Sequence, residues 1–326
     1  MRRRTSAFRR LTGILNMTLA AALLCACTLP GNAAPVVKIG LIAPFEGLGR
    51  PLGYGVLPAV KAAIAEANES RALGRYRVAL VALNDDLDPR TAEAQANAIL
   101  HDPDILAVLG PWSDITAASA AGPLASAGVP LLPATVISQP PGRPAMCPPP
   151  AEMAREMLGE AQRRGARRVG LAGPPNDLAA ALGQAVRGSG LDMAAENPDA
   201  VLFTGDAAAA ADELAARRAQ GWRGALIGGP DMARDWFIQR AAAVADGARA
   251  LVCVPPDAAD ARTEGEVPQA ALAGAGARLL MQALAGDIAA HGRPSRAGVA
   301  AMLAGTRFEP SMAWYQVSNG RWVRTS

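Results

Sequence analysis

The sequence has few of the side chains on which catalytic, metal and nucleic-acid sites depend. Its 326 residues include two histidines, two lysines and only 4% aromatic residues. The histidines, His101 and His291, stand far apart without an H-E-x-x-H motif or a cysteine partner, so no metal site is expected. With so few aromatic side chains, there is no platform on which nucleic-acid bases could stack.

Phosphate-binding glycine loops are missing as well. The nearest match to G-x-G-x-x-G, Gly47-Leu-Gly49 with Gly53, has the wrong spacing, and there is neither a P-loop nor a nucleophile elbow. The acids Asp85, Asp86 and Asp88 could bind a cation, but they lack the glycine and trailing glutamate of a calcium loop, which favours a role in a turn. The sequence therefore predicts a protein that is not an enzyme and holds no cofactor.

The composition is that of a folded chain with a basic start. Hydrophobic residues make up 51% of the sequence, and its length suggests about two domains of roughly 150 residues each. The net charge of +3 depends on Arg2, Arg3, Arg4, Arg9 and Arg10; without them, 27 basic residues face 29 acidic ones. This balance does not favour a nucleic-acid partner.

The basic start and the apolar stretch Leu11 to Ala26 have the order and length of a signal peptide. The end of this stretch, Leu24-Cys25-Ala26-Cys27, resembles the bacterial lipoprotein box, in which the last cysteine is acylated. Residues 1–35 are therefore predicted to be a lipoprotein signal peptide and tether, with lipid on Cys27. The protein would be exported and anchored on the extracytoplasmic face of the membrane. The alternative is cleavage near Ala33 and free secretion.

From Val36 onward, the pattern alternates between strands and helices. A first strand at 36–43 is followed by an irregular loop at 45–55 and a helix from Leu57. Further on, a buried strand at 105–109 leads through Gly110-Pro111 to a small-residue helix, for which Asp114 and Thr116 are the N-cap candidates. This order predicts an α/β fold with doubly wound parallel sheets, whose ligands bind in the loops after the strands, here 111–116 and 133–138.

A second α/β series follows the proline-rich stretch 139–150, which is predicted to be an inter-domain crossing. The expected helices of this series are 152–164, 177–187, 208–219, 235–245, 266–291 and 296–304. The expected strands are 168–172, 200–204, 224–228 and 249–254, with a C-terminal hairpin at 312–324 turning at Asn319-Gly320.

Four motifs occur in a recognisable order between Val36 and Val136. They are V-K-I-G-L-I-A-P with G-x-G-V-x-x-A-V-x-x-A-I-x-E-A-N, then D-D-x-D-P-R-T-A, V-L-G-P-W-S and A-G-V-P-L-L-P-A. Together they resemble the solute-binding proteins of branched-chain amino acid ABC importers, a likeness that continues more weakly through 201–231 and 270–284. The resemblance implies a type I periplasmic binding protein fold, in which two lobes joined by three hinge crossings trap a ligand.

The resemblance also implies the site residues. The ligand-gripping turn of the family corresponds to Trp112, Ser113 and Asp114, with an aspartate where serine is usual. The loop that completes the carboxylate clamp corresponds to Ala134, Thr135 and Val136, with valine where threonine is usual. Leu52 stands where the family has a tyrosine, Asp231 matches the acid that takes the ligand's ammonium, and Asp206 is a further candidate from the second lobe.

The implied organisation has discontinuous lobes. Residues 36–146 with 258–305 would form lobe 1, and residues 147–257 with 306–326 lobe 2. The resemblance puts Cys147 and Cys253 in neighbouring crossing strands, where a disulfide is predicted; two buried free thiols are the alternative. A monomer that delivers a small polar or amino-acid-like ligand to ABC permease subunits is expected. The alternative is a ligand-sensing surface lipoprotein of the same fold without a transport role.

The departures from the family pattern bear on the ligand. A carboxylate at position 114 would repel a ligand carboxylate by about 4 kcal/mol at 4 Å and an effective dielectric of 20. Val136 removes a hydroxyl donor. A conventional leucine, isoleucine or valine binder is therefore not expected, and a cationic, amide-bearing or hydroxyl-rich ligand, with Trp112 against it, suits the acids better. In the alternative, Asp114 is only a helix cap that points away from the cleft.

Overall fold

The first sheet is built from four parallel strands in the order β2-β1-β3-β4. The computed structural model of the chain describes residues 34–136, 144–256, 269–306 and 308–325. The strands of this sheet are β1 Val36–Ala43, β2 Arg77–Asn84, β3 Ile105–Leu109 and β4 Leu131–Leu132. Helices α1 Arg50–Glu69, α2 Pro89–Leu100 and α3 Asp114–Ser126 connect them. All five residues of β3 are buried, as expected for a central parallel strand.

The second sheet has seven strands in the order β11-β10-β9-β8-β7-β5-β6. Its parallel strands are β5 Arg168–Ala172, β6 Asp192–Met193, β7 Ala200–Phe203, β8 Ala225–Gly228 and β9 Arg249–Val254. The hairpin β10 Ser311–Ser318 and β11 Arg321–Thr325 joins β9 antiparallel. Helices α4 Pro150–Arg163, α5 Asp177–Arg187, α6 Ala207–Ala219 and α7 Asp235–Ala241 belong to this half of the chain.

After β9 the chain returns to the first sheet. Helix α8, Gln269–His291, packs against α1, and helix α9, Arg296–Gly305, packs against α8 and β3. Helices α2 and α3 pack together and bury a second apolar cluster over the other side of β1 and β3. The first sheet is therefore covered on both faces, as a doubly wound sheet requires. The lobe boundaries expected from the sequence remain a prediction.

The element order agrees closely with the sequence prediction. Strands 105–109, 168–172 and 249–254 and helix 177–187 have the predicted bounds, and the C-terminal hairpin turns at Asn319-Gly320, both with positive φ. The short edge strand β6 was not predicted, because its two exposed residues carry no apolar period. The predicted helix 235–245 ends earlier, at Ala241, and continues as a 3₁₀ turn, Ala242–Val244.

The prediction of an irregular loop over 45–55 was wrong. A 3₁₀ turn, Gly47–Gly49, leads into α1 at Arg50, seven residues before the predicted start. Pro51 suits the first turn of a helix, where no backbone N–H is needed. Gly53 lies so close to the chain before it that an added Cβ would stand 2.0 Å from the Pro44 carbonyl oxygen. The glycines of this stretch therefore permit close packing rather than irregular structure.

Cys147 and Cys253 are joined by a disulfide with an S–S distance of 2.00 Å and a Cα–Cα distance of 5.2 Å. Cys253 lies on β9, whereas Cys147 lies in the irregular segment before α4 rather than in a strand. The bond fixes the chain at the point where it enters the second sheet.

Two further sequence predictions fall partly outside the described residues. Residues 1–33 of the predicted signal peptide and tether, Cys27 included, lie outside the described ranges. So do residues 137–143 of the predicted crossing. In the part of the chain that the structure describes, no helix is both long and apolar enough to cross a membrane.

Candidate functional site

The turn after β3 positions the first group of site residues. Ser113 is extended (φ −130, ψ 151), and its side chain accepts a hydrogen bond from Thr116 N, so Ser113 is the N-cap of α3. The prediction that Asp114 or Thr116 would cap this helix was therefore wrong. Asp114 is instead the first helical residue, and its backbone N–H remains free of the helix's own carbonyls.

That N–H is bound by a carboxyl group from the second half of the chain. Asp114 N donates to Asp231 Oδ2 at 3.0 Å, and the Thr135 hydroxyl lies 3.5 Å from Asp231 Oδ1. Asp231 lies in a 3₁₀ turn, Pro230–Met232, directly after β8. Loops that follow strands of both sheets thus meet around one buried carboxyl group.

Arg234 lies beside the same carboxyl group. Its Nη2 donates to the Trp112 carbonyl at 3.1 Å and stands 3.5 Å from Asp231 Oδ1. Only 6% of its surface is exposed, and Nη1 is buried without a hydrogen-bond partner among the described residues. Arg234 therefore joins the two loops and keeps an unused donor.

Asp114 points toward the second sheet's loops as well. Asn176 Nδ2 donates to Asp114 Oδ2, while Asn176 Oδ1 caps α5 by accepting from Ala179 N at 2.8 Å. Asp114 Oδ1 accepts from Ile115 N at 2.8 Å. The alternative in which Asp114 points away from the cleft is therefore wrong.

The charges of this site are only partly compensated. Burial, and after it the nearby charge of Asp114, raise the pKa of Asp231 to about 8, while Arg234 opposes the shift. The attraction of Arg234, 3.5 Å away, is smaller than the combined effect of the lost solvation and the charge of Asp114. Burial also lowers the pKa of Arg234 to about 10.

Little space remains between these loops. We call the gap between them the cleft, and its cavity of about 10 Å³ is enough for roughly one water. It is lined by Asp114, Thr135, Val136, Asn176, Leu178, Gly205, Gly229, Pro230 and Asp231. A second cavity of about 160 Å³ lies next to it, between α1 and the segment 233–236, with Leu52, Arg234 and Trp322 in its wall.

A larger cavity, about 450 Å³, lies elsewhere. It is bounded by the end of α3 and by α9. Its wall includes Pro144, the first residue after a range that the structure does not describe. Its chemistry is largely apolar, so we place the candidate site at the cleft, where the polar groups converge.

The remaining predicted residues are distributed around the cleft. Ala134 is buried and donates its N–H to the Pro111 carbonyl, and Val136 lines the cleft. Leu52 lines the second cavity rather than the cleft. Trp112 is 1% exposed and lines none of the three cavities, so only its carbonyl takes part. Asp206 is exposed and caps α6 through the amides of Ala208 and Ala209.

Two residues that contact the cleft acids, Arg234 beside Asp231 and Asn176 beside Asp114, were not predicted from the sequence. Arg234 is one of thirty arginines, and nothing in its neighbours marks it as buried. Asn176 precedes Asp177 at the start of a predicted helix, so its role as a cap could be predicted, but its second hydrogen bond, across the cleft, could not.

The acids Asp85 and Asp88 behave as turn residues. Asp88 caps α2, and burial raises the pKa of Asp85 to about 6.

This fold is that of type I periplasmic binding proteins. A family model described as periplasmic binding protein matches residues 36–190. The structure is similar to that of the leucine-binding protein LivK from Thermotoga maritima, with 18% identity, a TM-score of 0.76, and 89% of this chain and 98% of that one covered.

Two further solved structures are similar. One is the branched-chain amino acid transporter substrate-binding protein LivJ from Streptococcus pneumoniae in complex with isoleucine, at 17% identity, a TM-score of 0.70, and 89% and 100% coverage. The other is a possible leucine/isoleucine/valine-binding protein from Rhodopirellula baltica, at 16% identity, a TM-score of 0.73, and 91% and 98% coverage. No curated protein sequence matches this chain.

These matches confirm both the predicted fold class and the resemblance to solute-binding proteins of branched-chain amino acid importers. The matched family consists of ligand-binding proteins rather than enzymes, which agrees with the sequence prediction.

Proposed function

We propose that this chain is an extracytoplasmic solute-binding protein that captures a small polar ligand in the cleft and delivers it to an ABC importer. Lipid on Cys27 would hold it at the membrane, because two acyl chains anchor a protein stably where one does not. The two lobes would close around a hinge when the ligand binds, and the permease would recognise this closed, loaded form. A monomer suffices for this role.

The observation that carries the proposal is the meeting of loops from both sheets. The N–H of Asp114 and the carboxyl group of Asp231 belong to strand-end loops of different sheets, yet they are hydrogen-bonded at 3.0 Å. Ligands of open α/β sheets bind at strand ends of this kind. The similarity in fold to leucine-binding proteins supports the same location.

Within this function, the ligand is expected to differ from leucine. Asp114 lies at the helix N-terminus, where a ligand carboxylate would otherwise be bound, and Val136 supplies no hydroxyl group. The like charges would oppose binding by about 4 kcal/mol at 4 Å and an effective dielectric of 20. Amides, urea and cationic amines avoid this repulsion.

A thermal-shift screen of the wild-type protein against amino acids, amides, urea and polyamines tests the function. A ligand present at one hundred times its Kd should add about 2.7 kcal/mol to the free energy of unfolding. We expect a neutral or cationic polar compound to stabilise the protein and leucine to leave it unchanged. If no member of these classes shifted the transition, the proposal would be wrong.

Calorimetry with leucine refines the test. The Asp114→Ser, Val136→Thr double variant removes the repulsion and restores a hydroxyl donor, so leucine affinity should rise relative to the wild type. Micromolar binding of leucine to the wild-type protein would contradict the expected ligand class while leaving the transport role intact.

The lipid anchor has a test of its own. Cys27→Ala should release the protein from the membrane, and retention of this variant by membranes would contradict the lipid anchor.

A further inference from the structure

The cleft contains a complete set of donors for one carboxyl group. The Asp114 N–H, at the start of the 13-residue helix α3, and the Thr135 hydroxyl belong to the loops of the first sheet. Arg234 is nine-tenths buried and adds a guanidinium group, of which Nη1 has no partner among the described residues. A helix N-terminus, a hydroxyl and a buried arginine together favour an anionic or carboxyl ligand.

The side chain of Asp231 already occupies these hydrogen-bond donors. Both oxygens of Asp231 are engaged, Oδ2 with Asp114 N at 3.0 Å and Oδ1 at 3.5 Å from both the Thr135 hydroxyl and Arg234 Nη2. The free space beside them, about 10 Å³, does not admit a second carboxyl group. A ligand carboxylate and the Asp231 side chain therefore compete for the same donors.

We infer that Asp231 is an internal ligand that occupies the carboxyl site of the cleft and thereby excludes solutes with a free carboxylate. One consequence of this inference is that the transported solute lacks a free carboxylate, and this consequence rests on the proposed function. The site itself does not depend on that function, since it is defined by three side chains, those of Thr135, Arg234 and Asp231, and by the backbone amide of Asp114.

Asp114 limits the strength of the site. Its carboxylate is held by Asn176 Nδ2 and Ile115 N at the edge of the cleft, where it opposes any anion bound there. Its replacement by asparagine should therefore strengthen anion binding, whereas the loss of Arg234 should abolish it.

Rescue by small acids tests the inference directly. Asp231→Ala leaves a space the size of a carboxyl group, which formate should fill, and Asp231→Gly leaves room for the extra methyl group of acetate. We expect formate to raise the Tm of Asp231→Ala, and acetate that of Asp231→Gly, with apparent affinities at least tenfold above those of the wild type. Formamide, the neutral counterpart of formate, should have a weaker effect.

Matched variants distinguish stabilisation by formate bound at this site from a general effect of salt on stability. Asp212→Ala removes an exposed acid and should respond to formate as the wild type does. Asp231→Ala with Arg234→Gln should lose the response, and Asp231→Ala with Asp114→Asn should bind formate more tightly. If Asp231→Ala does not fold, Asp231→Ser, which keeps a polar group, is tested in the same way.

The outcomes are distinct from those of the ligand screen. A folded Asp231→Ala protein that formate does not stabilise, or an equal response in the wild type and Asp212→Ala, would overturn the inference. Rescue in the absence of any transported solute would support the carboxyl site even if the proposed function failed. Failure of rescue would leave the transport role standing and remove only the restriction on ligand class.

Discussion

Two charge clusters in this protein, each centred on a buried acid, are built from similar side chains but balanced differently. On α4, Glu160 lies 3.1 Å from Arg163 Nε, 3.0 Å from Arg164 Nε and 3.1 Å from Arg249 Nε of β9. One buried carboxylate thus faces three guanidinium groups, of which Arg163 also pairs with Glu156 at 2.6 Å. In the cleft, the buried Asp231 carboxyl group has one guanidinium group, Arg234, at 3.5 Å, and the charge of Asp114 acts on it as well.

The two clusters also differ in the contacts around their charges. Beside Glu160, Arg249 adds bonds to Gln316 and Thr325. The Nε of Arg249 faces Glu160 without the alignment of a hydrogen bond, so that pair is held by charge. In the cleft, by contrast, burial and Asp114 raise the pKa of Asp231 to about 8. A compensated cluster stabilises one arrangement, whereas an uncompensated one is poised to change with pH or ligand.

Breaking the balanced cluster should have the largest effect. Glu160→Gln keeps the shape of the side chain but removes the counter-charge of the buried Arg249, whereas the exposed Arg163 keeps its pair with Glu156. We expect the free energy of unfolding to fall by about 3 kcal/mol, as for other broken buried ion pairs. Urea denaturation measures the change.

The control for this prediction is Asp212→Asn. Asp212 pairs with Arg240 at 2.6 Å, but both side chains are more than half exposed, so no measurable loss is expected. Equal losses in the two variants would show that the burial of Glu160 does not matter.

The cleft cluster should instead make stability depend on pH. Asp231 ionises near its ordinary pKa of 3.8 in the unfolded chain but only at about 8 when folded. The folded state therefore binds one more proton between these values, and the free energy of unfolding falls as pH rises through them, by up to about 1.4 kcal/mol per pH unit. Asp231→Asn cannot titrate and should lose this slope, as measured by denaturation at pH 5, 7 and 9.

The exposed neighbour Asp235 provides the comparison for that slope. Asp235→Asn should keep the wild-type pH dependence, because this side chain lies outside the buried cluster. A slope that persisted unchanged in Asp231→Asn would assign the effect to another group.

The smallest effect is expected at the edge of the cleft. Asn176→Asp preserves the cap of α5, since aspartate caps helices as well as asparagine does. It replaces the donor to Asp114 with a second carboxylate, and the repulsion should weaken the contact between the loops by on the order of 1 kcal/mol. Small-angle scattering should detect a more open average shape. Asn176→Ser, which keeps a cap without a charge, should remain closed; equal opening in both would show that the charge has no role.

Much of the fold could be predicted from the sequence, because most strands and helices follow local patterns of apolar and turn-forming residues. The run Ile105-Leu-Ala-Val-Leu109 is entirely apolar and ends at Gly110-Pro111, so its bounds followed from composition alone. The start of α1 did not, because Gly49 and Gly53 look like loop residues until the packing against Pro44 is seen. A glycine needed for close approach and a glycine needed for a turn have the same sequence signature.

The candidate site was predicted in part. Loops 112–114 and 134–136 and Asp231 were identified from strand ends and from the resemblance, and the structure brings Asp114, Thr135 and Asp231 together. The partners that decide the electrostatics, Arg234 and Asn176, were missed. Their roles depend on contacts between residues 62 and 122 positions apart in the chain, which no local pattern encodes.

The sequence by itself determined the alternation of strands and helices, and with it the parallel strands of both sheets, because hydrophobic period and turn residues act over a few neighbours. It also placed carboxyl groups in the strand-end loops. Only the tertiary structure decided that Asp231 bonds to the N-terminus of α3 and lies beside the buried Arg234, since burial and distance, not residue type, set whether a carboxyl group is a free charge or an internal ligand.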